Sequence, residues 1–271
     1  MSIDNFKTQG KFLMLALDHR GSFKKIVNAS APGQVSDEEI IKVKGFIKDA
    51  LSPYYSGILV DPKWGLKLFT PSDTYMLCIE ASGYEQESDE RITTLEYSVE
   101  QLKALGASSV KILLFFNPSV KSAGKQLKTA HHVLDDCKRV GLPFLLEIVV
   151  YGQHDELERQ KMVVDSVRMF MADGLRPDVY KLEYPGTAEN CAEITRLVDG
   201  IPWVILSQGI TFDKFRDGLK VAMTNGASGF TVGRGIWQEI KDCSSDADKK
   251  EFLQNVVVPR FKEISDIVLS S

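Results

Sequence analysis

The sequence predicts a single (β/α)₈ barrel that spans residues 1–271. Eight short apolar runs alternate with helical patterns, and this alternation over about 250 residues is typical of such barrels. Polar and charged residues follow the carboxyl ends of the runs, where barrels of this kind carry their active sites. A doubly wound open sheet is the competing architecture, because the number of strands alone does not distinguish the two. No Pro- or Ser-rich linker divides the chain, so one domain is expected.

The strand candidates are short apolar runs that end at polar or turn residues. They cover residues 12–17, 57–60, 75–79, 109–116, 143–150, 178–186, 202–206 and 229–232. In the sixth run, apolar and aromatic residues alternate with Lys181 and Glu183, and Pro185-Gly186 closes the run. Residues two apart in a strand point to the same face, so the two charges lie on one side of it.

Helical patterns with recognisable starts and stops separate these runs. Ser36 with Glu39, and Thr93 with Glu96, have the spacing of a capping box and predict the starts of two helices. Apolar residues at helical spacing predict further helices over 133–140, 162–171, 188–198 and 212–223. A last helix is expected over 250–269, with an interruption near Pro259.

Composition limits the class of protein. Hydrophobic residues make up 44% and charged residues 26% of the chain, the balance of an ordinary globular protein. A net charge of −4 argues against nucleic acid or an anionic membrane as the main partner. Residues 1–10 are polar and do not resemble a signal peptide, and no apolar run is long enough to span a membrane. The four cysteines are widely spaced, which favours reduced thiols and a cytoplasmic enzyme.

Two lysines, Lys111 and Lys181, stand in otherwise apolar strands. If both face the barrel interior, each is expected to lower the pKa of the other, because like charges disfavour the charged form. A neutral lysine in a dry pocket attacks carbonyl groups and forms a Schiff base. The alternative is that both point outward and pair with carboxylates on helices. The position of both lysines in apolar runs favours the functional interpretation.

Glu147 and Glu183 are carboxylates in the fifth and sixth predicted strands. Glu147 stands in the run Leu-Leu-Glu-Ile-Val-Val, which is too apolar for a surface charge. It either transfers protons during a reaction or neutralises one of the two lysines, and the sequence leaves both possibilities open. Glu183 shares the face of Lys181, which indicates a supporting, charge-balancing role.

The seventh and eighth runs end in glycine-containing loops. Ser207-Gln208-Gly209 and Gly233-Arg234-Gly235 lie where barrels of this fold commonly bind phosphate, because glycine admits backbone N–H groups and arginine adds charge. The alternative is two ordinary tight turns with a solvated arginine.

Metal and dinucleotide cofactors have little support in the sequence. His131 and His132 are adjacent in a predicted helix and do not project from one face, so they are expected to be solvated. No H-x-x-x-H or H-E-x-x-H pattern occurs, and no G-x-G-x-x-G follows the first run. His19 directly follows Asp18 at a strand end and is expected to contact substrate.

Eight segments together resemble the class I tagatose-1,6-bisphosphate aldolases, within a wider group of barrel aldolases that includes sulfofructosephosphate aldolase. The segments are ALDHRG at 16–21, LVDPKWGL at 59–66, SGY at 82–84, VKILL at 110–114, PFLLEI at 143–148, DVYKLE at 178–183, LSQG at 206–209 and GRGIW at 233–237. They recur in order from the first strand to the eighth, so the resemblance covers nearly the whole chain.

The resemblance implies a role for each candidate catalytic residue. Lys181 is expected to form the Schiff base, and Glu147 is expected to shuttle protons. Lys111 is expected to be the charged neighbour of the imine, and Asp18 to hold substrate hydroxyls. The expected phosphate-binding residues are Gly209, Gly233 and Arg234, and the expected substrate-binding residues are His19, Asp61, Glu183, Ser207 and Gln208.

The implied activity is the reversible, metal-independent cleavage of a phosphorylated ketohexose, with tagatose 1,6-bisphosphate as the expected substrate. His19 and Gln208 depart from the residues usual in this group, which are glutamine and a small residue. Segment 202–207 leans toward the sulfosugar enzyme, so 6-deoxy-6-sulfofructose 1-phosphate is the alternative substrate. A barrel that binds sugar phosphate and regulates a partner without catalysis is the alternative of another class. A homo-oligomer is compatible with the sequence, whereas nucleic acid and membrane are not expected partners.

Overall fold

The computed structural model describes every residue of the chain except Pro71 and His154. Eight parallel strands form a closed barrel, and two further strands form an antiparallel hairpin. The barrel strands are β1 (Phe12–Leu17), β2 (Gly57–Val60), β3 (Met76–Cys78), β6 (Ser109–Phe116), β7 (Phe144–Val150), β8 (Val179–Leu182), β9 (Trp203–Leu206) and β10 (Gly229–Val232), and the hairpin consists of β4 (Glu85–Glu87) and β5 (Glu90–Ile92). All eight strand candidates are therefore confirmed.

The barrel closes where β10 pairs in parallel with β1, from Phe12 beside Gly229 to Leu15 beside Val232. Closure removes both sheet edges and distinguishes the structure from the doubly wound sheet that the strand count left possible. The strands β6, β7 and β8 are neighbours in the ring. Their register places Glu147 of β7 directly beside Lys181 of β8.

Helices surround the barrel and bury their apolar faces against it. They are α1 (Gly21–Val27), α2 (Asp37–Leu51), α3 (Val99–Ala104), α4 (Ala123–Val140), α5 (Glu156–Ala172), α6 (Ala188–Leu197), α7 (Phe212–Thr224), α8 (Arg234–Trp237), α9 (Asp246–Phe252) and α10 (Val258–Leu269). A π-helical segment, Leu253–Val257, joins α9 to α10 just before Pro259, which agrees with the predicted interruption. Among the described residues, none of the helices is both long and apolar enough to cross a membrane.

The predicted start of α3 is wrong. Ser98, not Thr93, is the N-cap residue: its side chain accepts from the Gln101 amide, and the Gln101 side chain accepts from the Ser98 amide. The Thr93 hydroxyl instead accepts from the amide of Phe115 in β6. The local spacing resembles a capping box at both positions, but the contact with β6 occupies Thr93.

Two other helices begin earlier than their apolar spacing indicates. Helix α4 begins at Ala123 rather than at residue 133, and α5 begins at Glu156 rather than at residue 162. The first turn of α5 is polar, and the Asp155 side chain caps it by accepting from the Glu158 amide. The apolar pattern alone misses the solvated first turn of α5.

The lower half of the barrel interior is a dry apolar core. It consists of Phe6, Phe12, Met14, Ala16, Leu59, Met76, Cys78, Leu145, Val179 and Val204, all of them buried. Because this core fills the amino-terminal half, the polar residues of the strands collect at the opposite, carboxyl end.

Candidate active site

The carboxyl ends of the barrel strands surround a cavity of about 670 Å³. Its walls contain ten of the twelve residues that the sequence predicts for the site: Asp18, His19, Lys111, Glu147, Lys181, Ser207, Gln208, Gly209, Gly233 and Arg234. The other two, Asp61 and Glu183, do not line this cavity. The barrel thus brings most of the predicted site together from strands that are distant in the chain.

Glu147 lies between the two lysines in this cavity. One of its carboxylate oxygens is 2.9 Å from Lys181 Nζ, and the other is 3.0 Å from Lys111 Nζ. Only 4% of Lys181 and 5% of Glu147 is exposed, so the two groups meet in nearly dry surroundings. Both lysines therefore point into the barrel rather than toward the outer helices.

Lys111 is fully buried and is surrounded by carboxylates. Its Nζ lies 2.8 Å from Asp18, 2.7 Å from Glu80 and 3.0 Å from Glu147. Burial alone would lower the pKa of Lys111, but the three carboxylates outweigh it and raise that pKa well above its usual value. The expectation that the lysines lower each other's pKa is wrong for Lys111, because the sequence does not reveal how many carboxylates converge on it.

Asp18 directly follows β1 and keeps its charge inside the cavity. Burial would raise the pKa of Asp18, but Lys111 and then Lys181 hold it well below its usual range. The ionised carboxylate accepts a hydrogen bond from Lys111. It is therefore an acceptor suited to hydroxyl groups of a bound molecule.

The surroundings of His19 favour the neutral form of its imidazole. Burial lowers the pKa of His19 from 6.5 to about 3; Asp18 opposes this effect, and Arg234 adds to it. Its ring contacts Trp237 edge-on, with 5.4 Å between ring centroids. The imidazole closes one wall of the cavity between the ends of β1 and β10.

The loops after β9 and β10 contact each other beside His19. The Ser207 hydroxyl oxygen accepts from the Gly233 and Gly235 amides, each at 3.3 Å. A Cβ on Gly233 would come within 2.8 Å of the His19 ring, so only glycine fits this close approach. Arg234 Nε is buried and has no hydrogen-bond partner among the described residues. An unsatisfied guanidinium donor beside a cavity is suited to an anion.

Arg20 and Lys25 supply further positive charge to the cavity wall. Arg20 is 2.9 Å from Glu96 and 3.7 Å from Glu80. Lys25 is exposed. Because both follow Asp18 within one short stretch, the run of charges 18–25 is the signal by which sequence reasoning could have found them.

Glu183 balances a different charge from the one expected. Its carboxylate accepts from the Arg159 guanidinium, the Gln208 amide and the Val150 backbone N–H. Burial raises the pKa of Glu183 to about 8, and Arg159 opposes this shift. Arg159 lies on α5, and a single arginine in a polar first turn gives no sequence signal that it reaches this carboxylate.

Asp61 is also placed differently from the prediction. It is fully buried, and its oxygens accept from the Trp64 amide at 2.7 Å and the Gly65 amide at 3.1 Å. The Lys44 ammonium also bonds to it. This geometry disfavours contact with substrate. The Asp61 carboxylate points into the protein and accepts hydrogen bonds from backbone amides of the loop that follows β2.

A metal centre has weak support in the described part of the chain. One group has suitable ligand types and spacing, Asp18, Cys78 and Glu80. The Lys111 ammonium already bonds to both carboxylates, so it supplies the positive charge that a metal would bring. Burial raises the pKa of Cys78 well above its usual value, which disfavours the thiolate that metals prefer.

His131 and His132 lie on α4, as predicted, and do not line the cavity. His131 is 2.8 Å from Asp173, and the side chain of His132 is largely exposed. Neither histidine takes part in the candidate site.

Comparisons with known proteins show similarity to aldolases. The family described as DeoC/LacD family aldolase matches residues 12–239. Tagatose 1,6-diphosphate aldolase 1 of Streptococcus mutans is 26% identical over 94% of this chain and 90% of its own length. Tagatose 1,6-diphosphate aldolase of Staphylococcus epidermidis is 27% identical over 98% of this chain and 93% of its own length.

Solved structures share the fold. An archaeal fructose 1,6-bisphosphate aldolase superposes with a TM-score of 0.70 at 18% identity and covers 99% of this chain and 98% of its own. A second archaeal structure, with its catalytic lysine bound to a carbinolamine intermediate, has a TM-score of 0.69, also at 18% identity, and covers 98% of this chain and 97% of its own. At this identity the likeness supports the barrel fold alone.

Proposed function

Because the chain belongs to the DeoC/LacD aldolase family and is a class I aldolase, we propose that it cleaves tagatose 1,6-bisphosphate reversibly to dihydroxyacetone phosphate and glyceraldehyde 3-phosphate. The observation that carries the proposal is the position of Glu147, within 3.0 Å of both Lys181 and Lys111 in a nearly dry cavity. The names of the similar tagatose 1,6-diphosphate aldolases support the choice of substrate.

Lys181 forms the covalent intermediate in this proposal. A proton passes from the Lys181 ammonium to Glu147, and the amine attacks the ketose carbonyl carbon. A second nitrogen proton moves to the carbonyl oxygen and gives a carbinolamine. Glu147 then returns its proton to the new hydroxyl, which leaves as water when the iminium forms.

Glu147 also serves the bond cleavage. It removes the proton from the hydroxyl at carbon 4 while the bond between carbons 3 and 4 breaks, and the bond's electron pair moves to the iminium nitrogen. The aldehyde product leaves, and an enamine stays on Lys181. Protonation of the enamine and addition of water then release dihydroxyacetone phosphate and the free lysine.

Two charged neighbours, Lys111 and Asp18, position Glu147 and the substrate. Lys111 stays an ammonium and attracts Glu147 from the side opposite Lys181. Asp18, ionised and within 2.8 Å of Lys111, accepts from substrate hydroxyls. Because these groups are preorganised in a dry site, their electrostatic effect on the reacting atoms is strong.

Cationic residues lie at two parts of the cavity wall, and each part binds one of the two phosphates. Arg234, with its unpartnered Nε, and the Gly209 loop bind the phosphate next to the ketose carbonyl. Arg20 and Lys25 face the anionic group at the other end of the substrate. A sulfonate in that position gives the alternative substrate, 6-deoxy-6-sulfofructose 1-phosphate, which segment 202–207 favours.

Borohydride trapping tests the chemistry. The enzyme is incubated with dihydroxyacetone phosphate and borohydride, and the peptide that contains residue 181 is analysed by mass spectrometry. We expect a reduced adduct on Lys181, and cleavage activity that survives EDTA. A Lys181→Met variant is the control, since it keeps an apolar chain of similar length without the nucleophile. An unmodified Lys181 peptide in the wild type, or loss of turnover in EDTA, contradicts the proposal.

A substrate panel tests the specificity. Cleavage rates are compared for tagatose 1,6-bisphosphate, fructose 1,6-bisphosphate and 6-deoxy-6-sulfofructose 1-phosphate. We expect the highest kcat/KM with tagatose 1,6-bisphosphate. Turnover of the sulfonated sugar with none of the bisphosphates would assign the enzyme to the alternative substrate.

A further inference from the structure

Lys44 is a buried charge that no step of the aldol reaction uses. It projects from α2, is fully buried, and reaches the carboxyl ends of β1 and β2. Its Nζ donates to the Leu17 carbonyl oxygen at 2.6 Å, to the His19 carbonyl oxygen at 2.9 Å, and to the Asp61 carboxylate. All three N–H bonds of the ammonium are therefore engaged.

Stability alone is a poor reason to keep this ion pair. Two buried charges lose their hydration, and a pair of apolar residues of similar volume is often equally or more stable. The position of Lys44 on α2, between Ile40 and Ile47, is one where the other buried side chains are mostly apolar. The pair therefore needs an explanation beyond packing.

The two carbonyl groups that Lys44 holds belong to the residues on either side of Asp18. Fixing the Leu17 carbonyl and the His19 carbonyl restricts the backbone between them, which includes that of Asp18, and hence the direction of the Asp18 side chain. That side chain lies 2.8 Å from Lys111 Nζ. The same restriction holds His19 against Gly233, where no room is left for a Cβ.

Asp61 anchors Lys44 in turn. Its carboxylate accepts from the Trp64 and Gly65 amides of the loop after β2, so the anchor is itself fixed. The aromatic rings of Phe23 and Trp64 lie 5.1 Å and 6.0 Å from Lys44 Nζ. Lys44 thus joins α2, the loop after β2 and the end of β1 into one rigid unit.

We propose that Lys44 and Asp61 are positioning residues for the aldol reaction, because together they hold the backbone on both sides of Asp18 and aim its carboxylate at Lys111 and the substrate. The inference rests on the proposed function, in which Asp18 accepts from substrate hydroxyls. Neither Lys44 nor Asp61 lines the cavity, so they act only through the β1 end.

The test removes both charges at once, in the variant Lys44→Met/Asp61→Asn, so that no unpaired charge stays buried. A displacement of about 1 Å in a reacting group costs roughly 100-fold in rate. We therefore expect kcat for cleavage to fall by about 10- to 100-fold, with KM changed much less. Trapping of dihydroxyacetone phosphate on Lys181 by borohydride should persist, because the nucleophile and Glu147 are untouched.

A control variant separates positioning from loss of stability. Ile47→Ala lies on the same helix, is fully buried, and leaves Lys44 and Asp61 in place. Measured well below its melting temperature, it is expected to keep the wild-type kcat. If the double variant does not fold, Lys44→Gln/Asp61→Asn keeps a polar pair that is too short to reach both carbonyls, and the same fall in kcat is expected.

A double-mutant cycle with Asp18→Asn gives the sharpest outcome. If Lys44 and Asp61 act through Asp18, their removal should cause little further loss of kcat in the Asp18→Asn background. A folded double variant with wild-type kcat overturns the inference. So does a combined variant whose fold-loss in kcat equals the product of the losses in Asp18→Asn and in the double variant. Failure of the wild type to form the lysine adduct or to cleave the sugar would instead overturn the proposed function, so the two failures are distinguishable.

Discussion

The two lysines of the cavity differ because of the carboxylates around each of them. Lys111 lies within 3.0 Å of Asp18, Glu80 and Glu147, which keep it an ammonium. Among the described residues, Lys181 has one carboxylate within salt-bridge distance, Glu147 at 2.9 Å, and that carboxylate is able to accept its proton. In the proposed reaction, two residues of the same type thereby take different roles, Lys111 as a fixed charge and Lys181 as the nucleophile.

Replacement of Glu147 tests its role as the proton carrier. Glu147→Gln keeps the shape of the side chain but removes the basic oxygen, so kcat for cleavage should fall by about 10² to 10⁴. Glu183→Gln is the matched control, because Glu183 lies outside the cavity wall and bonds to Arg159. Steady-state cleavage kinetics of both variants check this. A Glu147→Gln rate close to wild type would remove Glu147 from the proton transfer.

Gln208 carries backbone strain that a pair of variants reveals. Its φ of 51° lies in the left-handed region, and its side chain bonds to Glu183. Gln208→Gly and Gln208→Ala both remove this bond, but only glycine adopts the backbone without strain. The free energy of unfolding in urea should therefore be higher for the glycine variant by about 1 kcal/mol. Equal values would indicate that the loop relaxes.

At the scale of elements, the register of three neighbouring strands brings the two lysines and Glu147 together. Lys111, Glu147 and Lys181 come from β6, β7 and β8, and the pairing of β7 with β8 sets Glu147 against Lys181. A shift of one residue in that pairing would turn every side chain of the strand to its other face. The register is therefore as important to the site as the residue types.

The start of α3 gives a prediction at this scale. Ser98 accepts from the Gln101 amide, so Ser98→Ala should lower the free energy of unfolding by about 1 kcal/mol. Ser98→Asp retains a capping oxygen and is expected to stay within a few tenths of a kcal/mol of wild type. Thermal or urea unfolding of the two variants measures the difference. If both variants lose the same amount, the cap contributes nothing.

At the scale of the whole molecule, closure of the barrel creates the part of the cavity that we propose binds phosphate. Pairing of β1 with β10 brings Asp18 and His19, near one end of the chain, beside Gly233 and Arg234, near the other. The same closure sets His19 against Trp237, and these surroundings lower the pKa of its ring. An open sheet would leave these residues at opposite edges.

Burial of His19 makes the stability of the molecule depend on pH. Its pKa is 6.5 in the unfolded chain and about 3 when folded, so between these values the unfolded state binds the proton more tightly. The free energy of unfolding should therefore fall as the pH decreases from 6.5 toward 3, with a slope of at most about 1.4 kcal/mol per pH unit. Above pH 6.5, His19 is neutral in both states and this loss of unfolding free energy is absent.

A His19→Gln variant isolates this contribution from the other titrating groups, which are common to both proteins. The free energy of unfolding is measured in urea from pH 7 to pH 5 for both proteins. As the pH falls, the wild type should lose more of this free energy than the variant. A difference that is independent of pH would mean that His19 is solvated in the native state.

The sequence alone determined the alternation of strands and helices, the eight strand positions, and the lysines and glutamate that stand in apolar strands. These features are local: a charge in an apolar run, or a turn after it, is visible without knowledge of any partner. The apolar pattern was less informative at helix starts, since α4 and α5 begin earlier than it indicates and α5 begins with a polar turn.

Only the tertiary structure decided which groups meet. It closed the barrel, set three carboxylates around Lys111, paired Glu183 with Arg159, and directed Asp61 away from the cavity toward Lys44. Each of these outcomes depends on a partner that is distant in the chain. Burial and charge pairing are properties of the assembled barrel, so a local pattern predicts that a polar residue is present at a strand end but does not determine its partner.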